Sequence, residues 1–336
     1  MDRSQNMQRV KVLYIAGQHR SGSTILGNTL GQIEGFTHVG EFLALWRILK
    51  LGEGRCGCGV PVIACKMWED VLKEAYGGLD ESLVAQMLQF RNLEARDRAC
   101  LRAMTSRGIR PLQRHLAKPL AELEKVYSAI QTVFNCKVIV DSSKHPMYAY
   151  ILQLADGIDP YILHLTRDPR ASAYSFLRKR VNDGSLNSTK DRAPLKAALK
   201  WNFQNSVIEI LSRRFRHRHL HLRYEDFVAN PRGSLQRILT LVDETRSSLP
   251  LEGEHSLNID AQHTVYGNAS RFRTGKTEIR EDRAWKTEMK RRDRMLVTAV
   301  TWPLLIKYGY RMIPGASGVA DPRTISRTPE IARTDQ

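Results

Sequence analysis

The sequence predicts an α/β fold, in which a parallel sheet is flanked by helices and carries a helical insertion. The first apolar run, at 9–16 (RVKVLYIA), is rich in β-branched residues and predicts a buried strand. A glycine-containing loop and a helical stretch follow it, which is the opening of a βαβ unit. Short apolar runs at 137–141, 160–166 and 219–223, each followed by a helical stretch, indicate parallel strands covered on both faces.

Two long segments are helical in pattern. Between about 66 and 134, Leu, Met and Val recur at intervals of three and four residues, and we expect breaks near Pro111 and Pro119. A last helix is predicted over about 281–308. We therefore expect one domain over 1–313, with a helical insertion at about 66–134 and a disordered tail at 314–336, which is rich in Ser, Thr, Pro and charge.

The charge balance favours anionic ligands. The chain has 52 Lys and Arg against 35 Asp and Glu, a net charge of +17. No window approaches eighteen apolar residues, so no transmembrane segment is predicted. The first apolar run enters a glycine-containing turn without the cleavage site of a signal peptide, so we expect a cytoplasmic location. The oligomeric state is not predicted.

Three of the five cysteines lie close together. Cys56, Cys58 and Cys65 occur in RCGCGVPVIAC, and an odd total number favours reduced thiols over a disulfide framework. Three such ligands are compatible with zinc, but the spacing is not a pair of CxxC motifs and the sequence offers no evident fourth ligand. We expect a packed loop and no metal, and the role of the three cysteines stays open.

The loop after the first strand has the spacing of a phosphate-binding loop. Gly17, Gly22 and Thr24 match GxxxxGK[ST], so the predicted sheet is of the P-loop type. Successive backbone N–H groups and the following helix N-terminus make such a loop a cradle for an anion. The predicted anion-binding residues are Gly17, Arg20, Ser21, Gly22, Ser23 and Thr24.

Two other functions compete at this point. A P-loop kinase or NTPase would use Asp141 as a magnesium-binding aspartate, but Ser23 replaces the lysine that reaches the β- and γ-phosphates. Arg20 supplies a cation inside the loop instead. A non-catalytic polyanion-binding protein is the other alternative. No nucleic-acid partner is expected, because few aromatic residues interleave with the basic runs.

Three segments resemble PAPS-dependent sulfotransferases, which use 3′-phosphoadenosine-5′-phosphosulfate. The loop GQHRSGSTIL is similar to their 5′-phosphosulfate loop, and looks closest to bacterial and tyrosylprotein sulfotransferases. HLTRDPRASAYSFLRKR resembles their 3′-phosphate segment, with Arg167 and Ser175 at the family's spacing. HTVYGNASRFRTGKTEIREDRAW is similar to the C-terminal segment over the nucleotide, which implies nucleotide contacts from Arg271, Arg273 and Lys276.

The resemblance implies transfer of a sulfuryl group from PAPS to a hydroxyl, releasing the 3′,5′-bisphosphate PAP, with no metal required. The acceptor partner is a carbohydrate, a lipid, a small molecule or a tyrosine. Glu41 matches the family's catalytic glutamate and is the preferred base, and His145 is the alternative. Lys144 would polarise the sulfuryl or bridging oxygen, and Arg20 would stabilise the leaving phosphate.

Overall fold

The structure is a computed structural model, and it describes residues 9–94, 109–182, 193–213 and 216–312. The chain divides into two compact units, Met1–Arg167 with Lys200–Asp282 and Asp168–Leu199 with Arg283–Gln336. The single domain over 1–313 stays a prediction. The predicted disordered tail, 314–336, lies outside the described residues.

A five-stranded parallel sheet forms the centre of the first unit and confirms the predicted α/β class. Its strand order is β2-β3-β1-β4-β5. The strands are β1 (Val10–Gly17), β2 (Phe36–Gly40), β3 (Val138–Lys144), β4 (Ile158–Thr166) and β5 (His219–Arg223). The sequence did not indicate β2, because its five residues, FTHVG, form no apolar run. An antiparallel pair, β6 (Ser256–Ile259) and β7 (Gly275–Glu278), also belongs to this unit.

Helices cover both faces of the sheet in the first unit. These helices are α1 (Ser23–Leu30), α2 (Leu45–Leu51), α3 (Lys66–Tyr76), α4 (Glu81–Glu94), α5 (Ile109–Phe134), α6 (Pro146–Leu152), α9 (Tyr224–Ala229) and α10 (Pro231–Leu241). The second unit holds α7 (Pro169–Asn182), α11 (Trp285–Glu288) and α12 (Arg291–Lys307), and α8 (Ala193–Ser212) begins in the second unit and ends in the first. None of the helices described here is long and apolar enough to cross a membrane.

Alternate residues of β1 enter two different cores, which is the period of a strand covered on both faces. Val12 and Tyr14 pack into the layer that holds α2 to α6, whereas Leu13 and Ile15 pack into the layer that holds α1, α9 and α10. With both faces covered, the strand ends are the accessible part of the sheet. The chain leaves β1 towards β2 and leaves β4 towards β5, so the crevice between β1 and β4 is the topological switch point.

Two predictions about helices are wrong. α5 continues through Pro119 without a break. Leu116, Leu120 and Leu123 are buried around it, and this packing offsets the hydrogen bond that proline removes. The helix predicted over 281–308 is interrupted, because Met289 has an extended backbone and Lys290 is the residue that caps α12. Burial of Met289 in the core of the second unit accompanies this break.

Candidate active site at the carboxyl edge of the sheet

The loop between β1 and α1 requires glycine at two positions. A Cβ on Gly17 would lie 2.3 Å from the carbonyl oxygen of Leu165, the residue that pairs with it on β4. Gly22 has a φ of 89°, and a Cβ there would lie 2.2 Å from the ring of Tyr224. Arg20 also has a positive φ, 72°, which is a costly conformation for a residue with a side chain. The loop therefore holds a strained, tightly fixed shape.

The loop presents donors that suit an anion. Helix α1 begins at Ser23 and carries no acidic residue in its first turn, so its N-terminal N–H groups and partial positive charge face the loop. The Oγ atom of Ser21 is buried and has no hydrogen-bond partner among the described residues. A buried hydroxyl without a partner is costly unless a ligand completes it. These donors support anion binding by the predicted loop residues, which stays a prediction.

Arg167 follows β4 and lies against this loop. Its Nη1 donates to the carbonyl oxygen of Arg20 at 3.2 Å, and its Nη2 donates to that of Asp282 at 3.2 Å. The guanidinium stacks over the ring of Tyr224, 4.8 Å from the ring centre, and Tyr224 donates to the carbonyl of Arg280. The side chain is only 8% exposed, and its Nε has no partner within the described part of the chain. Arg167 is therefore a buried, oriented cation beside the loop.

An ion pair lies at the ends of β2 and β3. Lys144 Nζ donates to Glu41 Oε1 at 2.6 Å and to the carbonyl of Ser142 at 2.9 Å. The two side chains are 4% and 16% exposed, so Glu41 is the partner nearer to solvent. Gly40, just before Glu41, has a φ of 77°, and the N–H of Glu41 donates to the carbonyl of Tyr266 at 2.9 Å. Neighbouring parallel strands thus bring together two charges that are far apart in sequence.

Two histidines accompany this pair. His145 follows Lys144 and precedes α6, and its carbonyl accepts the hydroxyl of Tyr14 at 2.9 Å. His19, in the loop, was missed by the sequence analysis. Desolvation by the surrounding protein and then the charge of Lys144 lower the pKa of His19, with Glu41 acting in the opposite direction and His145 in the same one. This electrostatic coupling makes His19 a neighbour of the group. The only sequence signal was its place inside the loop motif.

Asp141 does not offer an exposed carboxylate to a metal. It is fully buried, and it accepts the hydroxyl of Tyr127 at 2.7 Å together with the N–H and the hydroxyl of Ser143 at 2.8 and 2.6 Å. Burial raises the pKa of Asp141 to about 6, against the effect of these hydrogen bonds. The residue orders the turn before Lys144. The structure thus disfavours the magnesium-binding role that an NTPase requires.

The other predicted nucleotide residues lie in different settings. Ser175 is buried on α7 in the second unit. Arg271 donates to the carbonyls of Gly267 and Arg55 at 3.0 and 2.9 Å. Burial lowers the pKa of Arg271, and Tyr266, Cys56 and Glu41 oppose that effect. Arg273 and Lys276 are exposed. Nucleotide contacts by these four residues stay predictions.

Comparisons with known proteins agree with this architecture. A sequence model of the family described as "Sulfotransferase family" matches residues 13–247, which include the loop, Glu41, Lys144 and Arg167. Arg271, Arg273 and Lys276 lie beyond the matched residues. A search of curated protein sequences gives no match.

Two solved structures share the fold. The sulfotransferase domain from the curacin biosynthetic pathway is 15% identical, covers 90% of this chain and 99% of its own, and has a TM-score of 0.52. The sulfotransferase domain from the Synechococcus PCC 7002 olefin synthase is 18% identical and has a TM-score of 0.50. The match covers 93% of this chain and 99% of that domain. Identities this low support the fold alone. Because the family match spans more than half of the sequence, the chain belongs to the sulfotransferase family, a family of transferase enzymes.

Proposed function

We propose that this protein transfers a sulfuryl group from PAPS to a hydroxyl group of an acceptor. The observation that carries the proposal is the hydrogen bond from Arg167 Nη1 to the carbonyl of Arg20, 3.2 Å long. This contact brings the cation after β4 against the loop after β1, which is the proposed anion-binding loop. A donor with a phosphosulfate at one end and a 3′-phosphate at the other requires two such sites close together.

The residues present fit the donor. The N–H groups of the loop, Ser21 Oγ and the N-terminus of α1 would hold the 5′-phosphosulfate, with Arg20 adding a cation. The unpaired Nε of Arg167 suits a phosphate oxygen, and we assign Arg167 to the 3′-phosphate. Ser175, Arg271, Arg273 and Lys276 are proposed as further nucleotide contacts on the resemblance alone. When bound, the donor supplies an activated sulfur whose bond to the phosphate oxygen breaks as the acceptor oxygen attacks.

Glu41 is the proposed base and Lys144 its partner. The carboxylate is the more exposed member of the ion pair, so it can reach the acceptor hydroxyl and take its proton. Lys144, held by Glu41 and the carbonyl of Ser142, would polarise the sulfuryl or bridging oxygen. His145 is the alternative base, one residue beyond Lys144. The acceptor stays open among carbohydrates, lipids, small-molecule alcohols and tyrosine.

A ligand-binding comparison tests the donor. We expect adenosine 3′,5′-bisphosphate to raise the Tm without any added divalent cation, because the protein supplies the positive charge. A ligand at 100 times its Kd stabilises the folded state by about 2.7 kcal/mol. ATP with magnesium should have a much smaller effect, since it has no 3′-phosphate. Stabilisation by ATP and magnesium but not by the bisphosphate would overturn the proposal in favour of an NTPase. Transfer of labelled sulfate from PAPS into an extract then identifies the acceptor.

A variant pair tests the assignment of Arg167. Arg167→Ala should weaken bisphosphate binding by about 10- to 150-fold. A hydrogen bond to a charged group contributes about 1.5–3 kcal/mol, which corresponds to that change in Kd. Arg232→Ala is the matched control, because Arg232 is exposed on α10. Calorimetric titration measures both, and the Tm without ligand checks the fold. Equal affinity in the two variants contradicts a 3′-phosphate site at Arg167.

A further inference from the structure

Three cysteines and one histidine meet in the first unit. The ligand atoms of Cys56, Cys58, Cys65 and His263 all lie within 4.8 Å of one another. Cys56 and Cys65 are buried, and Cys58 and His263 are partly buried. The cysteines are free thiols, and the 3.8 Å between the Sγ atoms of Cys58 and Cys65 is far longer than a disulfide bond. His263 is the fourth ligand that the sequence did not reveal.

The distances match the edges of a zinc tetrahedron. Zinc–sulfur bonds of about 2.3 Å and zinc–nitrogen bonds of about 2.0–2.1 Å give sulfur–sulfur edges of about 3.8 Å and sulfur–nitrogen edges of about 3.6 Å. The Sγ atoms of Cys58 and Cys65 are 3.8 Å apart. His263 Nδ1 lies 3.7 Å from Cys56 Sγ and 3.2 Å from Cys65 Sγ. Four atoms at these separations can surround one ion.

A tight turn presents the first two thiols. The N–H of Cys56 donates to the carbonyl of Val60 at 2.7 Å, and the N–H of Gly59 donates to the carbonyl of Cys56 at 2.8 Å. Gly57 lets the turn approach the chain around His263. Its N–H donates to the carbonyl of Thr264 at 2.9 Å, and a Cβ on Gly57 would lie 2.3 Å from the carbonyl of Gln262.

The other two residues of the cluster, Cys65 and His263, are fixed by backbone contacts and by packing. Cys65 caps the N-terminus of α3, where the helix dipole favours a thiolate. Trp68, fully buried on the same helix, donates its indole N–H to the carbonyl of His263 at 2.9 Å. The ring of Phe134 packs edge-on against the imidazole, 6.0 Å between ring centres. Ligands fixed in this way make a preorganised site.

The charges are also compatible with the ion. Three thiolates and one neutral imidazole around Zn²⁺ leave a net charge of −1. Arg271 donates to the carbonyl of Arg55, the residue before Cys56, so a cation lies beside the cluster. Thiolate and imidazole together select zinc over the hard cations magnesium and calcium.

We propose that Cys56, Cys58, Cys65 and His263 form a structural zinc site. Four protein ligands complete the tetrahedron and leave no open position, which is typical of structural sites rather than catalytic ones. The ion would join the 55–65 turn to the segment after β6. In that segment, the N–H of Val265 donates to the carbonyl of Val39, and the carbonyl of Tyr266 accepts the N–H of Glu41, each at 2.9 Å. The site would therefore fix the backbone that positions Glu41.

This inference goes beyond the sulfotransfer reaction and does not depend on it, and metal content tests it directly. The full chain, purified under reducing conditions, should contain one zinc per chain. Removal of zinc by a chelator should lower the Tm by several degrees, and added Zn²⁺ should restore it. Cobalt(II) added to the chelated protein should give the thiolate charge-transfer and tetrahedral d–d absorption bands. A metal-free protein that gives neither band on cobalt addition would overturn the proposal.

Variants separate this cluster from a general effect of cysteine. Cys58→Ser and His263→Ala should lose the bound zinc and the cobalt spectrum. Cys136→Ser is the control, because Cys136 is a buried free thiol outside the cluster, and it should keep both. If Cys58→Ser does not fold, the cobalt titration of the wild-type chain decides the question alone. Full zinc content in both ligand variants, or a disulfide between cluster cysteines that persists in protein purified under reducing conditions, would contradict the site.

Discussion

Two buried ionisable residues, Asp141 and Lys144, lie three positions apart at the end of β3, and their hydrogen-bond partners differ. Asp141 is surrounded by neutral donors, among them the hydroxyls of Tyr127 and Ser143 and the N–H of Ser143, and has no exposed surface. Lys144, at the last position of the strand, is paired with a carboxylate that reaches solvent. The first arrangement orders the turn before Lys144, and the second leaves a partly exposed carboxylate at the ends of β2 and β3. Similar burial therefore says little about function until the partners are known.

The difference follows from position along the strand. Asp141 still pairs with Tyr14 of β1 inside the sheet, whereas Lys144 pairs with Ala16 beyond a register shift. That shift and the positive φ of Lys144, 69°, turn the chain at the carboxyl edge. Three substitutions test this comparison, in order of decreasing expected effect.

The largest effect is expected at the exposed end of the ion pair. Glu41→Gln should lower kcat by about 10²–10⁴-fold, because the amide cannot accept the hydroxyl proton. Binding of the bisphosphate should be unchanged, since Glu41 is not among the proposed nucleotide contacts. Rates with PAPS and an acceptor, together with calorimetric titration, measure the two quantities.

Glu34→Gln is the matched control for that prediction, because Glu34 is an exposed carboxylate shortly before β2. It should leave kcat unchanged. A fully active Glu41→Gln enzyme together with an inactive His145→Ala enzyme would transfer the role of base to His145.

The second effect concerns stability. Asp141→Ala should lower the free energy of unfolding by about 3–5 kcal/mol at pH 5, since it leaves the donors of Tyr127 and Ser143 buried without their acceptor. Asp260→Ala, at an exposed aspartate, should change it little. Urea denaturation measures both variants. A loss in Asp141→Ala no greater than in the control would mean that the buried network contributes nothing.

The third effect is a pH dependence with a definite sign. Burial raises the pKa of Asp141 from 3.8 to about 6, so between these values the folded state binds more protons than the unfolded state. The contribution of Asp141 to stability is complete below pH 4 and is lost as the pH rises through 6, by about 3 kcal/mol at most. The stability of the wild-type chain relative to Asp141→Asn should fall over this window.

Comparison with Asp141→Asn removes the effect of other groups. Burial and then the charge of Lys144 lower the pKa of His38 to about 3, which makes the whole protein lose stability as the pH falls. Both chains carry His38, so its contribution cancels in the difference. A difference that is flat from pH 4 to 7 would show that Asp141 titrates alike in the folded and unfolded chains.

Features set by neighbouring residues were predicted well. The strand, the loop and α1 form one continuous segment, and the structure confirms the predicted succession of strand, glycine-containing loop and helix. β2 was missed because its five residues, FTHVG, include only two large apolar side chains and form no apolar run. The break expected at Pro119 was wrong because tertiary packing outweighed the local preference of proline.

The sequence by itself determined the α/β class, strands β1, β3, β4 and β5, and the chemical types of the candidate site residues, whereas the anion-binding role of the loop stays a prediction. Only the tertiary structure decided which of these residues meet. Glu41 and Lys144 pair across 103 positions, and Cys65 and His263 approach across 198. The physical reason is that spacing along a chain specifies contacts only within one element or turn. Contacts between distant segments depend on sheet order and on how the layers pack.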